Sequence, residues 1–130
     1  MKLNQDCIRD LMLYLEDSLT LSNSIDIDCY SNDSFLKGYS KEDLSYTALK
    51  LIEANYINAK IENFLDTVFP YISIKSITYN GHKFLDTIRD DNVWTKTKGL
   101  LSCFKSVSIE VVSETASKVI TNLINQKLGN

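Results

Sequence analysis

A helical pattern that is followed at once by two strand patterns limits the fold of this chain more than any other feature. Apolar residues recur at helical spacing within residues 41–55, and Ser40 with Asp43 is typical of the capping box that begins a helix. Residues 56–61 and 71–79 then alternate apolar and polar side chains, as half-buried strands do. Strands so close in sequence most simply pair antiparallel, so the centre of the chain predicts a helix that leads into a β-hairpin.

Helical patterns flank this centre on both sides. Asn4 is a suitable N-cap for a helix over residues 5–18. Residues 19–39 are rich in Ser, Asn and Asp, and within them only residues 25–30 alternate like a short strand. Three helical segments are predicted after the hairpin: residues 84–88, residues 93–101 with a cap at Asp91 or Asn92, and residues 107–128, of which residues 107–112 also fit a strand.

The composition predicts an intracellular protein with a core of its own. With 130 residues, of which 44% are hydrophobic, the chain is long enough to bury a core without disulfide bonds. Its three cysteines are widely scattered, which favours a reducing cytosol. The longest apolar run, Leu11–Leu15, is far shorter than the roughly 20 residues that cross a bilayer, so no membrane partner is expected.

The order of these elements resembles that of a winged-helix domain, in which the hairpin is the wing. Ser40–Ile57 resembles the second helix of a helix-turn-helix with its exit. Ile77–Asp86 resembles the wing strand that returns into the next helix, with Gly81 at the turn. We therefore predict an α+β, winged-helix-like domain over residues 1–101, followed by a C-terminal amphipathic helical extension over residues 102–130.

Four stretches also carry a resemblance to a protein family: Met1–Leu11, Gly38–Ser40, Leu49–Ile57 and, above all, Gly81–Trp94. In these stretches the chain resembles a family of phage and prophage proteins, domain of unknown function 2513. The resemblance implies a winged-helix-like fold and a mobile-element origin, and with it a location in the cytoplasm of a bacterial host. It brings no catalytic motif and no ligand residues.

No pattern in the sequence predicts an enzyme, a metal site or a cofactor. His82 is the only histidine, and no cysteine or carboxylate stands at a metal-ligand spacing from it. Asp26, Asp28 and Asp33 lack the glycine and the closing glutamate of a calcium-binding loop. The four glycines are isolated, so none belongs to a phosphate-binding loop.

The charges are distributed unevenly along the chain, and this bears on DNA binding. Residues 1–94 hold 9 basic and 15 acidic side chains, whereas residues 95–130 hold 5 lysines and 2 glutamates. An acidic majority disfavours DNA binding, although a local basic patch suffices for it. The candidate DNA contacts on the second helix and the wing are Lys41, Ser45, Tyr46, Lys50, Lys60 and Lys75.

Two functions fit this pattern. The first is a phage-borne or prophage-borne winged-helix regulator that binds double-stranded DNA and has no catalytic activity. The alternative is a non-enzymatic phage protein that binds and inhibits a host protein, such as a component of a CRISPR-type antiviral defence. Tyr46 and Leu49, which project outward on the second helix between Glu42 and Glu53, are the protein-contact candidates for the alternative.

The C-terminal helical pattern has an apolar seam, which another protein surface must cover to shield it from water. Its members recur at alternating spacings of three and four residues. Two covers fit: the body of the winged-helix domain, or the same helix of a second copy. The second cover makes the protein a homodimer, with Val112, Ala116, Val119 and Leu123 as contact residues.

Overall fold

The described residues form an α+β, winged-helix-like fold, as the sequence predicts. The computed structural model describes residues 1–31 and 33–129; Asn32 in the predicted irregular segment and Asn130 in the predicted extension lie outside the described residues. Within that range there are five α-helices and one three-stranded antiparallel sheet. In chain order they are α1 (Gln5–Ser18), β1 (Ile25–Ile27), α2 (Lys41–Glu53), β2 (Ile57–Glu62), β3 (Tyr71–Ile77), α3 (Tyr79–Ile88), α4 (Asp91–Leu101) and α5 (Ile109–Lys127).

Side-chain caps begin the first two helices where the sequence predicts them. The Asn4 side chain accepts a hydrogen bond from the backbone N–H of Cys7 (3.1 Å) at the start of α1. At α2, Ser40 Oγ accepts from the N–H of Asp43 (3.0 Å), and Asp43 Oδ2 accepts from the N–H of Ser40 (3.3 Å). These bonds satisfy backbone donors that the first turn of a helix leaves unpaired, and they confirm the predicted capping box.

Later in the chain, one cap differs from the prediction and one ambiguity is resolved. Asp90 caps α4 by accepting from the N–H of Val93 (3.0 Å), so the predicted cap at Asp91 or Asn92 was wrong. The reason is that Asp90 has the extended backbone of an N-cap, whereas the next residues are already helical. Ser108 caps α5 in the same way, so the chain is helical from Ile109 and does not form the alternative strand.

β3 is the central strand of the sheet, and β1 and β2 lie at the two edges. Both edge strands pair antiparallel with β3 in the order β1-β3-β2. The predicted hairpin is confirmed, with Ile57 opposite Ile77 and Ile61 opposite Ile72, and with a register shift near the start of β2. The strand predicted over residues 71–79 ends at Ile77, and Tyr79 begins α3 and is exposed.

The chain divides into two compact units, Met1–His82 and Lys83–Asn130. In the first unit, α1 packs on α2, and α2 packs against β2. Its buried apolar residues include Ile8, Leu11, Met12, Leu15, Leu44, Ala48, Leu51, Ile57, Ile72 and Ile74. The predicted domain limits, 1–101 and 102–130, stay a prediction.

The segment between β1 and α2 contains no helix in its described residues, 28–31 and 33–40. A helix-turn-helix requires a helix directly before the recognition helix, and here turns and bends replace it. The motif expected from the resemblance is therefore incomplete in the part of the chain that the structure describes, although α2 and the wing follow in the expected order.

The predicted seam of α5 is buried within the chain. In the second unit α5 packs against α4, and Val112, Ala116 and Val119 are buried. Leu123 is half-buried. The sequence left two covers open, and the buried part of the seam is covered within its own unit, where α5 packs against α4. A homodimer through these buried residues would require α5 to separate from α4.

Gly81 was predicted at the turn from the wing strand into the next helix, but it lies in the first turn of α3 itself. The connection between β2 and β3 is formed by residues 63–70, between the two predicted strands. A Cβ atom at Gly81 would lie 2.1 Å from the carbonyl oxygen of Tyr56 and 2.7 Å from Cγ2 of Ile77. The requirement for glycine therefore comes from the close approach of α3 to the residues that follow α2.

We expect Gly81→Ala to destabilise the fold, because the added methyl group meets backbone that cannot move aside cheaply. Overpacking of this kind costs about 1–3 kcal/mol. Gly99→Ala is the matched control: Gly99 is also helical, but nothing lies within 4 Å of its added Cβ. The control should gain about 0.5–1 kcal/mol from helix propensity. Denaturant unfolding followed by circular dichroism measures both changes, and a Gly81→Ala protein as stable as the parent would contradict the proposed clash.

Candidate binding surface of helix α2 and the wing

α2 presents two different faces. The inner face is buried and consists of Leu44, Ser45, Thr47, Ala48 and Leu51. The outer face carries the side chains that the helical projection predicts, Glu42, Tyr46, Leu49, Lys50 and Glu53, with both glutamates exposed and the other three half-buried.

The lysines that face outward from α2 and β2 are each paired with a glutamate. Lys50 Nζ lies 2.7 Å from Glu53 Oε2, and it also lies 5.4 Å from the centre of the Tyr46 ring. The hydrogen bond with Glu53 raises the pKa of Lys50. On the wing, Lys60 Nζ lies 3.1 Å from Glu62 Oε1. Both positive charges are therefore compensated within the chain.

Three further DNA-contact candidates are placed less favourably than the sequence suggests. The Lys41 ammonium donates a hydrogen bond to the carbonyl oxygen of Ser31. Ser45 is only 3% exposed, and among the described residues its hydroxyl has no hydrogen-bond partner, so its predicted place on the contact surface is corrected to the core. Lys75 is exposed on β3, where its charge helps to lower the pKa of Asp26. The six candidates thus do not form one open basic face.

A groove runs between the outer face of α2 and β2, and we call it the α2–β2 groove. It encloses about 250 Å³ and is lined by Tyr46, Leu49, Lys50, Ile52, Glu53 and Ile61. All of these residues come from α2 or from the edge strand β2, so the groove lies beside the outer edge of the sheet. The two protein-contact candidates of α2, Tyr46 and Leu49, are brought together here with apolar neighbours.

The tip of the wing exposes apolar side chains, which the sequence interpretation missed. Leu65 is fully exposed and Val68 is 92% exposed. Phe64 contacts Tyr30, which follows β1, with ring centres 5.9 Å apart. We call Tyr30, Phe64, Leu65 and Val68 the wing-tip patch. The signal for it was present in residues 63–70, which hold four apolar side chains besides proline and only one charge, that of Asp66.

The second unit holds a groove of its own between α4 and α5. It encloses about 390 Å³, and Leu123, the half-buried member of the predicted seam, lines it together with Val119 and Leu100. Lys96 also lines it. Leu123 is thus the one predicted C-terminal contact residue whose side chain is half-buried, while the other three are buried.

Asp26 and Asp28, two of the three acidic residues considered as a cation loop, have structural partners. Asp26 accepts hydrogen bonds from Tyr71 and Ser73, and these bonds lower its pKa. The same bond with Asp26 raises the pKa of Tyr71 to about 12. Among residues 1–31 and 33–129, no cluster of three His, Cys, Asp or Glu side chains is placed to hold a metal ion. None of the described helices is long and apolar enough to cross a membrane.

Comparison with known proteins assigns a family to this fold. The sequence model of the family described as "Hypothetical protein (DUF2513)" matches residues 2–108. The chain belongs to this family. A Haemophilus influenzae protein described as "Uncharacterized protein" is 30% identical over 129 residues, which cover 99% of this chain and 100% of the relative. No solved structure matches the chain significantly.

The two comparisons cover the candidate surfaces differently. The DUF2513 match includes the α2–β2 groove and the wing-tip patch, and it ends just before α5 begins. The Haemophilus influenzae relative is similar over nearly the whole chain, which includes α5. The family resemblance seen in the sequence is therefore confirmed, and it extends over the surface formed by α2 and the wing.

We expect Tyr71→Phe to lower stability at neutral pH and to lose this effect in acid. In the folded state the hydrogen bond from Tyr71 lowers the pKa of Asp26 below its ordinary value of 3.8. This hydrogen bond therefore stabilises the fold above about pH 4, and the stabilisation is lost as the pH falls further. Thermal midpoints measured from pH 7 to pH 2 test this. Tyr14→Phe, which keeps the ring contact with Phe35, is the control. A difference that stays constant over this pH range would exclude Asp26 as the acceptor.

Proposed function

We propose that this DUF2513 protein acts by binding another protein, without catalysing a reaction, through the wing-tip patch and the α2–β2 groove. The observation that carries the proposal is the chemistry of the wing tip, where Leu65 and Val68 are exposed and Asp66 is the only charge within residues 63–70. An exposed apolar patch of this kind is typical of a protein interface. Phosphates, in contrast, require cations, and an aspartate repels them.

The α2–β2 groove supports the same class of partner. Tyr46 is an amphipathic aromatic residue of the type enriched at protein interfaces, and Leu49 and Ile52 provide apolar surface beside it. Lys50 and Glu53 form an ion pair at the groove, so its charge is balanced. The sequence resemblance implies a mobile-element origin, and in line with it we propose that the partner is a host protein in the bacterial cytoplasm, such as a component of an antiviral defence.

DNA binding is the second candidate, and the order of the elements favours it. α2 leads directly into the wing, which is the arrangement that presents a recognition helix to the major groove. Against this, Lys50 and Lys60 are already paired with glutamates, and DNA would have to compete with those pairs. We therefore propose protein binding as the first candidate and regulation through DNA as the second, which is the reverse of the order that the sequence alone suggested.

For the first candidate, we expect Leu65→Ser combined with Val68→Ser to abolish capture of the host partner from a nuclease-treated lysate. Its thermal midpoint should stay nearly unchanged, because both side chains are already in solvent. Leu21→Ser is the control, since Leu21 is equally exposed but lies in the turn after α1. Equal capture by the double variant and the control would contradict the role of the wing tip.

For the second candidate, fluorescence anisotropy with a random-sequence DNA duplex is the direct measurement. Because few phosphates can be contacted, the slope of log affinity against log salt should be shallow, about −2 to −4. Lys50→Glu should weaken binding, whereas Lys37→Glu, outside α2 and the wing, should not. If micromolar protein binds no duplex at low salt, DNA binding is excluded.

A further inference from the structure

β2 is an edge strand whose outer side faces no other strand. In the part of the chain that the structure describes, β2 pairs with β3 alone. Its outer backbone groups can therefore bond to an added strand. Side chains alternate across a strand, so Lys60 and Glu62 stand on one face and Ile61 on the other. Their 3.1 Å ion pair agrees with the shared face, and Ile61 lies at the α2–β2 groove.

The charge pattern of this edge is complementary to itself in one register. When two β2 strands pair antiparallel about a two-fold axis, directly opposite residues lie on the same face of the joined sheet. If the axis passes Ile61, Lys60 lies opposite Glu62 of the second copy, and Glu62 lies opposite Lys60 of the second copy. An axis at Lys60 would place two lysines opposite each other, and an axis at Glu62 would oppose two glutamates. Opposite charges across strands stabilise, and like charges destabilise, so the register at Ile61 is selected.

We propose that a second copy of this chain pairs with the outer edge of β2, antiparallel and centred on Ile61. This proposal rests on the proposed function, that the surface of α2 and the wing binds protein, and it names one of the partners. The Ile61 side chains of the two copies meet on the groove face, about 4.5–5.5 Å apart at Cβ. There they extend the apolar surface of Ile52 and Leu49, while the wing-tip patch is left for the host partner.

Charge reversal tests the register, because each variant predicts a different assembly. Wild-type protein should be a dimer at high micromolar concentration in sedimentation velocity experiments. Lys60→Glu places glutamates opposite glutamates, and Glu62→Lys places lysines opposite lysines. Each variant alone should weaken the dimer about tenfold or more, since two cross-strand pairs change from attraction to repulsion. An equimolar mixture of the two variants should form a heterodimer, because every opposed pair is then of opposite sign.

The double variant Lys60→Glu with Glu62→Lys restores both pairs and should dimerise like the wild type. Lys37→Glu changes the net charge as much as Lys60→Glu does, and it should leave the dimer intact. Ile61→Lys is a second, independent variant that should give a monomer with an unchanged circular dichroism spectrum, because Ile61 is 40% exposed.

Two results would overturn the β2 dimer: a wild-type protein that is monomeric at high micromolar concentration, or a dimer that all the β2 variants leave intact. Neither result affects the wing-tip experiment. Loss of host capture by the Leu65→Ser, Val68→Ser variant would then still support the proposed function, so failure of the dimer and failure of the function are distinguishable.

Discussion

The junction at the end of α2 is the contact on which the rest of the first unit depends. α2 ends in a Schellman motif, in which Tyr56 N–H bonds to the Leu51 carbonyl and Asn55 takes the left-handed conformation (φ 63°). Thr78 then ties this turn to β3 and α3, because its hydroxyl donates to the Asn55 carbonyl (2.6 Å) and accepts from the Gly81 N–H (3.0 Å). Only a glycine fits beneath the Tyr56 carbonyl. This junction directs β2 along the outer face of α2 and so creates the α2–β2 groove.

Charge compensation determines what this scaffold is suited to bind. A recognition helix with a wing is a DNA-binding arrangement by its geometry, but the function lies in the side chains that the geometry presents. Here Lys50 of α2 and Lys60 of β2 are paired with glutamates three and two residues away. Exposed pairs of this kind add little stability. Their effect is to neutralise two positive charges of this surface, so the proposed protein binding rests on the apolar groove and the wing tip.

Local patterns predicted most of the secondary structure, because helix caps and side-chain alternation act within a few residues. The capping box at Ser40 appears as predicted, and the strand predicted over residues 71–79 forms over residues 71–77. Local patterns were not sufficient where three neighbouring residues, Asp90, Asp91 and Asn92, are all capable caps. Asp90 is the cap because its backbone is extended. For α5, the sequence left strand and helix open over residues 107–112, and the Ser108 cap resolves this in favour of the helix.

The sequence by itself determined the α+β class, the hairpin and the outward face of α2, since each follows from periodicity along one segment. Only the tertiary structure decided which side chains are available. In the tertiary structure Ser45 is buried, and Val112 and Ala116 of the seam are packed within their own unit. Glycine is required at residue 81 because of its close approach to Tyr56, and not because of a turn. The tertiary structure also brought Tyr30 against Phe64, which are 34 positions apart in the sequence. These outcomes depend on distances between separate segments, and no local pattern contains such distances.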